Sequence, residues 1–313
     1  METLLTDSPL VAAEIIRSGG LVAFPTETVY GLGASVFNEG AVGSIFEAKR
    51  RPADNPLIAH IASIGQIELL AAEVTPSAKL LIGAFFPGPL TVVLRKTSKV
   101  PLFATAGLDT IGIRMPGSAV AHEFLLACGT PVVAPSANLS GRPSPTTWQA
   151  VNEDLNGRID CILRGDATEI GLESTVVDCT GSVPVILRAG SVSIDQIRAV
   201  VPDAVAFDAG AVGVLRSPGL KHRHYSPKAT VVLVDHIGSE VVVGKAAFIG
   251  LEDTHVPFAV KRICRDVEEY AHSIFEFLRE CDREGILTVY CQTVPELGIG
   301  TALMDRLRRA SEG

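Results

Sequence analysis

The chain has 313 residues, of which 47% are apolar and 20% charged, and this balance excludes a disordered protein. A net charge of −8 excludes a protein whose whole surface binds nucleic acid, so a polyanion would have to meet a local basic patch. The apolar runs are too short to span a bilayer, and the N-terminal segment lacks the basic region of a signal peptide, which favours a cytoplasmic protein without membrane contact.

The first two thirds of the chain alternate helices with short apolar strands. Ser8 and Pro9 are typical of a helix N-cap and first turn, Gly19 and Gly20 are typical of its end, and a second helix is predicted over residues 39–49. Apolar runs predict strands at residues 21–24, 57–61, 90–94, 111–114, 131–134, 174–179 and 185–187. This alternation predicts an α/β fold, and the frequent prolines at short spacings predict a mixed sheet.

The composition changes to Ala, Gly, Pro and His between residues 202 and 227. Loops of this length are usually either functional or disordered. Beyond them, the pattern predicts strands near residues 230–234, 246–249 and 286–290 and helices near 266–284 and 302–309. We therefore predict three parts, namely a large domain over residues 1–203, a linker over 204–229 and a small α/β domain over 230–313.

Polar loops follow two of the predicted strands. Residues 25–33 combine hydroxyls with a carboxylate and glycines, and residues 134–141 combine small residues with hydroxyls. Loops beyond the carboxyl ends of strands often bind ligands in α/β sheets, and such loops can surround a phosphate or a small polar molecule. The sequence has neither a P-loop nor a GxGxxG fingerprint, and an ordinary capped turn would have a similar composition to residues 25–33.

Cationic side chains stand near these loops in the sequence. Lys49, Arg50 and Arg51 close the second predicted helix, where cations also stabilise the helix dipole. A histidine in an apolar strand, such as His60, is more often a core residue, but the cations just upstream favour an anion-binding pocket. Arg114 ends another apolar strand, where a buried guanidinium must pair either with a ligand's carboxylate or with an internal one.

Several motifs of covalent or metal-dependent catalysis are absent from the sequence. It contains no GxSxG or HExxH, and its six widely spaced cysteines without a CxxC pair argue against a zinc site and a disulfide framework. A pocket of Lys, Arg, Ser, Thr and Asn suits transfer at phosphorus, where catalysis rests on positioning and charge neutralisation. The pattern thus indicates an ATP-using enzyme or a nucleotide-binding protein, and does not identify the acid that is activated.

A set of stretches in chain order resembles the YrdC-type core of the threonylcarbamoyl-AMP synthase family. They are residues 25–32, 49–52, 55–58 with His60, 112–114 with Pro116, 135–138, 173–176 and 188–190. Residues 217–227 resemble the signature of the long, two-domain form of this family. The resemblance implies a large, twisted mixed-sheet YrdC-like domain followed by a smaller Rossmann-like α/β domain.

The resemblance also implies a reaction, in which L-threonine, bicarbonate and ATP give threonylcarbamoyl-AMP and pyrophosphate, with Mg²⁺ accompanying the ATP. The product would supply a partner transferase that modifies adenosine next to the anticodon of tRNAs reading codons that begin with A. A weak direct contact with tRNA is compatible with this role.

The resemblance assigns roles to individual residues. It implies that Lys49 and Arg51 act in catalysis, and it implies no protein ligand for a metal. The residues implied for threonine are Thr28, His60, Arg114, Ala134 and Ser174. Those implied for ATP are Arg51, Asn55, Thr110, Ser136, Asn138, Ser144, Arg188 and Tyr225, the last of which would reach the nucleotide from a linker that lies over the cleft.

A module that binds double-stranded RNA or tRNA is the main alternative, because the same cations could line a groove for a phosphate backbone. The negative net charge and the aromatic content of 5% argue against it, since few stacking platforms remain. A related carbamoyltransferase would carry zinc-finger cysteines, and that cysteine pattern is absent from the sequence.

Overall fold

The computed structural model describes residues 2–52, 54–207, 227–237 and 244–312, which form two β-sheets with associated helices. The predicted α/β fold class, with a large mixed sheet and a smaller second unit, is therefore confirmed. The strands of the large sheet are β1 Leu4–Thr6, β2 Val22–Phe24, β3 Gly31–Ser35, β4 Ile58–His60, β5 Leu90–Arg95, β6 Thr110–Arg114, β7 Val132–Ala134, β8 Cys161–Leu163, β9 Thr175–Asp178, β10 Val185–Arg188 and β11 Val205–Ala206.

Parallel and antiparallel neighbours mix along the large sheet, whose order is β1-β8-β2-β3-β7-β4-β6-β5-β9-β10-β11. At its centre, β4 pairs in parallel with β6 and antiparallel with β7. This register sets His60 directly opposite Arg114. Two predicted site residues that are far apart in the sequence thus become neighbours through strand pairing.

The helices of this first unit are α1 Pro9–Arg17, α2 Glu39–Lys49, α3 Ile67–Leu70, α4 Pro76–Phe85, α5 Ala119–Cys128, α6 Trp148–Leu155 and α7 Ile194–Val200. Helix α2 matters most for the site. It begins after Asn38, whose side chain accepts a hydrogen bond from the backbone N–H of Ala41, and its C-cap is Arg50, which has a φ of 52°. This left-handed residue ends the helix immediately before Arg51.

The small unit is a four-stranded parallel sheet with two long helices. Its strands are β12 Thr230–Val234, β13 Ala246–Gly250, β14 Val260–Ile263 and β15 Thr288–Gln292, in the order β12-β15-β13-β14, and its helices are α8 Val267–Arg283 and α9 Ile299–Ser311. Helix α8 carries a strongly amphipathic pattern and buries Tyr270, Phe275 and Phe277 in the core of this unit.

The two units share a packed interface. Val29 and Leu172 of the large unit belong to the same buried apolar cluster as the core of the small unit. Gly171 has a φ of +81°, and a Cβ at this position would lie 2.4 Å from the carbonyl oxygen of His272 in α8. Only a residue without a side chain permits so close an approach of this loop to the helix.

Some elements differ from the sequence prediction. Residues 25–33 were expected to form a loop throughout, but residues 31–33 belong to β3. This strand has the sequence Gly-Leu-Gly-Ala-Ser, which lacks strand-forming residues, yet a Cβ on Gly33 would come within 2.7 Å of Val132. Close packing between strands therefore requires the glycine that made the segment look like a loop. The strands β1, β8, β11 and β14 and helix α6 were also not predicted.

The segment predicted as a linker is described only at its two ends. β11, which pairs with β10, lies within residues 204–207 and extends the large sheet. Tyr225 and almost all of the 217–227 signature lie outside the described residues, so the predicted domain boundaries and the covering role of the linker remain predictions.

Two further features concern the whole described chain. None of its helices combines the length and the apolar character that crossing a bilayer requires. All six cysteines are buried and unpaired, with Cys128, Cys161 and Cys179 in the large unit and Cys264, Cys281 and Cys291 in the small one. Burial raises the pKa of each of these thiols.

Candidate active site

A cleft lies against β4, β6 and β7 and encloses about 690 Å³ of space open to solvent. Most of the residues that the sequence predicted as ligand contacts line it. They are Thr28, Arg51, His60, Arg114, Ala134, Ser136, Asn138, Ser144, Ser174 and Arg188. Chain segments that are widely separated in the sequence thus converge on one cleft.

Arg114 stands at the end of β6 and is almost fully buried. Its Nη2 atom lies 2.7 Å from Oε1 of Glu27, its Nη1 donates to the hydroxyl of Thr28 at 2.8 Å, and its Nε donates to the carbonyl of Gly88 at 3.3 Å. The guanidinium has five N–H groups, so these three contacts do not use all of its donors. Arg114 therefore pairs with an internal carboxylate and also lines the cleft. The sequence alone could not decide between an internal partner and a ligand for this arginine.

The carboxylate of Glu27 is ionised because of this pairing. Burial would raise the pKa of Glu27, but the charge and the hydrogen bond of Arg114 outweigh the burial and hold that pKa below its ordinary value. Thr28 receives a second hydrogen-bonding neighbour in the hydroxyl of Thr26, 2.8 Å away. The strand end and the loop 26–28 are thus locked together before any ligand arrives.

His60 faces the cleft from the opposing position on β4. Its Nδ1 lies 3.1 Å from the carbonyl oxygen of Ile58, and its ring packs edge to face against Phe24 at 5.7 Å. Burial, helped by the nearby charge of Arg114, lowers the pKa of His60 to about 3. The imidazole is therefore neutral at physiological pH, and with Nδ1 donating to Ile58 its Nε2 can accept a hydrogen bond.

Lys49 lies behind the cleft wall and does not line the cavity itself. Its side chain is fully buried, and its Nζ donates to the backbone carbonyls of Ser136 and Asn138. Burial, with the nearby charge of Arg51, holds the pKa of Lys49 well below its ordinary value. Lys49 thus fixes the loop that follows β7, and its predicted catalytic role remains a prediction.

The loop after β7 presents its polar groups to the cleft. The hydroxyl of Ser136 donates to Oδ1 of Asn138, and Nδ2 of Asn138 donates to the carbonyls of Leu139 and Arg142 at 2.9 and 2.8 Å. These bonds turn the loop back on itself beside the cavity, which Ser136 and Asn138 line. The loop is therefore held in one conformation at the wall of the cleft.

A second set of polar side chains lines the cleft near β9 and β10. Arg188 donates to the backbone carbonyl and the hydroxyl of Ser174, at distances of 3.0 to 3.2 Å. The hydroxyl of Ser144 donates to Oε1 of Glu173 at 2.6 Å. Cationic and hydroxyl groups from three chain segments thereby meet at this wall of the cleft.

Three of the predicted ATP contacts do not line the described cavity. Thr110 is buried at the start of β6, about 13 Å along the strand from Arg114. Asn55 is buried beside Arg51, whose Nη2 lies 3.4 Å from the Asn55 carbonyl, and the side-chain Nδ2 of Asn55 has no hydrogen-bond partner among the described residues. Tyr225 lies outside the part of the chain that the structure describes.

Sequence reasoning assigned no role to Thr26, Glu27, Glu173 and Arg142, of which all but Glu27 line the cleft. A signal was present for the first three, because they belong to the stretches 25–32 and 173–176 that carried the family resemblance. Arg142 follows the loop 135–138 without a motif of its own. Its role emerges only from folding, which pairs it with Asp154 of α6.

The described residues contain no cluster of three or more histidine, cysteine or acidic residues that could hold a metal ion. The two carboxylates at the cleft are already engaged, Glu27 by Arg114 and Glu173 by Arg306. Mg²⁺ often binds through few protein carboxylates and mainly through substrate phosphates. This donor set therefore fits an ion that arrives on a nucleotide better than one held by the protein alone.

The chain matches two families along its length. Residues 14–190 match a family described as telomere recombination, and residues 192–312 match one described as the C-terminal domain of threonylcarbamoyl-AMP synthase. The first match lies within the large unit, and the second runs from α7 of the large unit through the small unit.

Individual relatives agree with these matches. A threonylcarbamoyl-AMP synthase of Pyrococcus abyssi is 44% identical over 96% of this chain and 93% of its own length. The Bacillus subtilis threonylcarbamoyl-AMP synthase is 39% identical over 100% of this chain and 96% of its own. A crystal structure of P. abyssi Sua5 complexed with L-threonine has a TM-score of 0.92 and 42% identity, covering 99% of this chain and 97% of that one.

Proposed function

This chain belongs to the threonylcarbamoyl-AMP synthase family, and we propose that its cleft holds L-threonine and ATP side by side for the reaction of that family. Enzymes of the family are ATP-using nucleotidyltransferases that make threonylcarbamoyl-AMP for the modification of tRNA. The observation that carries the assignment to this cleft is the convergence of a buried guanidinium, hydroxyls and further cations on one cavity.

One wall of the cleft suits the amino acid, and we call Thr28, His60, Arg114 and Ala134 the threonine side. The remaining N–H groups of Arg114 would bind the threonine carboxylate, because a guanidinium fork matches a carboxylate in geometry and charge. The neutral His60 would accept a hydrogen bond from the substrate without adding a charge. Ser174, at the junction with the opposite wall, would complete this subsite.

The opposite wall suits the nucleotide, and we call Ser136, Asn138, Ser144 and Arg188 the nucleotide side. Its loop after β7 would surround phosphate oxygens, while Arg188 and Arg51 would neutralise their charge. The amide of Asn55, which has no partner among the described residues, offers a further donor close to Arg51. Thr110 and Tyr225 remain predicted ATP contacts that would require rearrangement or the undescribed linker.

The chemistry that this arrangement supports has two steps. The threonine amine attacks the carbon of CO₂ derived from bicarbonate and loses a proton, which gives a carbamate. A carbamate oxygen then attacks the α-phosphorus in line, and the bond to the pyrophosphate oxygen breaks. Arg114 would hold the acid in place, and Arg51 would stabilise the charge that develops on the departing pyrophosphate.

Mg²⁺ bound to the phosphates of ATP would supply further neutralisation of charge on the leaving group. Because the cleft carboxylates are paired with arginines, the phosphate oxygens would be its main ligands. We also propose that the product passes to a partner transferase acting on tRNAs that read codons beginning with A, and that the protein works in the cytoplasm. The RNA-binding alternative has weaker support, since Lys49 and Arg114 are buried and hydrogen-bonded inside the protein.

The test is pyrophosphate release from Mg²⁺-ATP with L-threonine and bicarbonate present together and each omitted in turn. We expect release only with all components, and threonylcarbamoyl-AMP identified by mass spectrometry as the second product. Release that does not depend on threonine would overturn the assignment of the acid. Tight binding of RNA with a steep salt dependence, in place of this activity, would favour the alternative.

A further inference from the structure

The last helix of the small unit sends a buried arginine into the large unit. Arg306 of α9 has a side chain that is 1% exposed. Its Nε donates to Oε2 of Glu173 at 3.0 Å and its Nη2 donates to the carbonyl of Ala189 at 3.0 Å, while Asp305 of the same helix forms an ion pair with its Nη1. Both Glu173 and Ala189 belong to the large unit, far earlier in the chain.

The contact continues from Arg306 through Glu173 to the cleft. Glu173 lines the cavity, and its other oxygen, Oε1, accepts the hydroxyl proton of Ser144 at 2.6 Å. Because this proton is committed to the carboxylate, the Ser144 oxygen can only accept a hydrogen bond from a ligand. A ribose hydroxyl or an amino group of a nucleotide is a donor of the required kind.

The charge of Glu173 depends on its partners. Burial would raise the pKa of this carboxyl, but Arg306, Arg188 and the Ser144 hydroxyl outweigh the burial and hold that pKa below its ordinary value. An ionised carboxylate accepts from Ser144, whereas a protonated one could donate to it and reverse the bond. Removing Arg306 would therefore disturb the orientation of Ser144 as well as leave a buried charge without its main partner.

A second arginine of the small unit acts on the neighbouring loop in the same manner. Arg279 of α8 is fully buried, and its guanidinium donates to both oxygens of Asp154 at 3.2 and 2.9 Å and to the carbonyl of Pro143 at 2.6 Å. Asp154 in turn accepts the backbone N–H of Leu139 at 3.1 Å and pairs with Arg142, which lines the cleft. The small unit thus supports residues 139–143 from behind.

We propose that Arg306 is a positioning residue for the nucleotide subsite, acting through Glu173 on Ser144, so that the small unit completes the wall that receives ATP. Arg279 supports the adjoining loop through Asp154. The inference rests on the proposed function, because it presumes that the ligand at this wall is ATP. It gives the C-terminal unit a part in substrate binding, exerted through Glu173, that its distance in sequence does not suggest.

The test measures ATP and L-threonine binding separately by calorimetry on the full chain, with Arg306→Gln, Arg306→Lys and Glu173→Gln variants. We expect Arg306→Gln to weaken ATP binding about tenfold or more and to leave threonine binding within about twofold, as for residues that orient a binding group. Arg306→Lys should recover part of the loss, because it restores the charge beside Glu173. Arg308→Gln is the matched control, since Arg308 is an exposed arginine of the same helix.

A double variant separates positioning from general destabilisation. In a Glu173→Gln background, Arg306→Gln should add less than about twofold to the loss of ATP affinity, because Glu173, through which Arg306 acts, is already altered. Equal losses of threonine and ATP affinity, together with a lower melting temperature, would show a merely structural role and overturn the inference. Unchanged ATP binding in Arg306→Gln would overturn it as well, whereas a wild-type chain that binds no ATP would refute the proposed function itself.

Discussion

The two walls of the cleft are built by different means. The threonine side is fixed mainly within the large unit, since strand register sets His60 opposite Arg114 and the Glu27 carboxylate holds that arginine in place. The nucleotide side consists of loop residues and of Arg188 at the end of β10, and its loops are fixed from behind by Lys49 and by two arginines of the small unit. One subsite therefore rests mainly on its own sheet, while the other depends more on how the two units pack.

We expect the largest effect from replacing Arg114, which lies at the centre of the threonine side. Arg114→Met should reduce kcat/KM for L-threonine about 1,000-fold and destabilise the fold by about 3–5 kcal/mol, because Glu27 would be left buried without its partner. Steady-state kinetics and chemical unfolding measure the two effects. If adding Glu27→Gln to Arg114→Met does not recover stability, the loss of the pair between Arg114 and Glu27 is not the cause of the destabilisation.

Removing the internal support of the nucleotide side should give the next largest effect. Lys49→Met leaves two buried carbonyls without their donor, and we expect kcat/KM for ATP to fall about 100-fold while threonine affinity changes little. Binding of each ligand by calorimetry checks the selectivity. The exposed Lys79→Met is the control, and an equal loss of both affinities would contradict the division into two walls.

A change at the interface between the units sharpens the comparison further. Gly171→Ala should cost about 2 kcal/mol of stability, because a Cβ would clash with the backbone of His272 in addition to the strain of a positive φ. Because the backbone N–H of Ile170 donates to the carbonyl of Glu27 at 2.8 Å, we expect threonine binding to weaken together with ATP binding. Gly129→Ala is the matched control, since Gly129 also has a positive φ but no atom within 4 Å of the added Cβ. Equal effects of the two substitutions would show that the close approach is unimportant.

The last expected effect, which is the smallest one near neutral pH, is a pH dependence that arises on the threonine side. His60 has a pKa of about 3 in the fold against an ordinary value of 6.5, so the unfolded chain binds more protons between these values. Stability should therefore be complete above pH 6.5 and fall by about 1.4 kcal/mol per pH unit below it. Unfolding titrations from neutral to acidic pH should show a shallower decline for His60→Gln. The exposed His122→Gln variant should behave as the wild type. If stability falls with the same slope against pH in all three proteins, the burial of His60 is not the cause of the pH dependence.

The sequence predicted the parts of the fold in which local pattern and tertiary structure agree. β5 and α2 lie where apolar runs and helix periodicity indicated them. β3 was missed because it carries glycines that only the packing against Val132 explains, and the short β8 has too few residues to establish a period. Such elements are decided by their neighbours in the sheet, which are not adjacent in the sequence.

The residues of the site divide in the same way into those that the local sequence indicates and those that only the fold brings to the cleft. Arg114, Ser136 and Ser174 stand in recognisable stretches and reach one cleft as the sequence implied. Arg306 and Arg279 had no such signal, because a buried arginine on an amphipathic helix looks like any surface arginine until its partner is known. The direction of the Lys49 side chain, toward loop carbonyls, also depended on the fold.

The burial of all six thiols has a practical consequence. Because their raised pKa values leave almost no thiolate at neutral pH, the folded protein should be inert toward alkylating reagents and mild oxidants. Each unit holds three of these cysteines, so the position of a chemical label reports which unit has opened. The protein thus carries its own probes for telling apart the unfolding of the sheet that binds the amino acid and of the unit that supports the nucleotide.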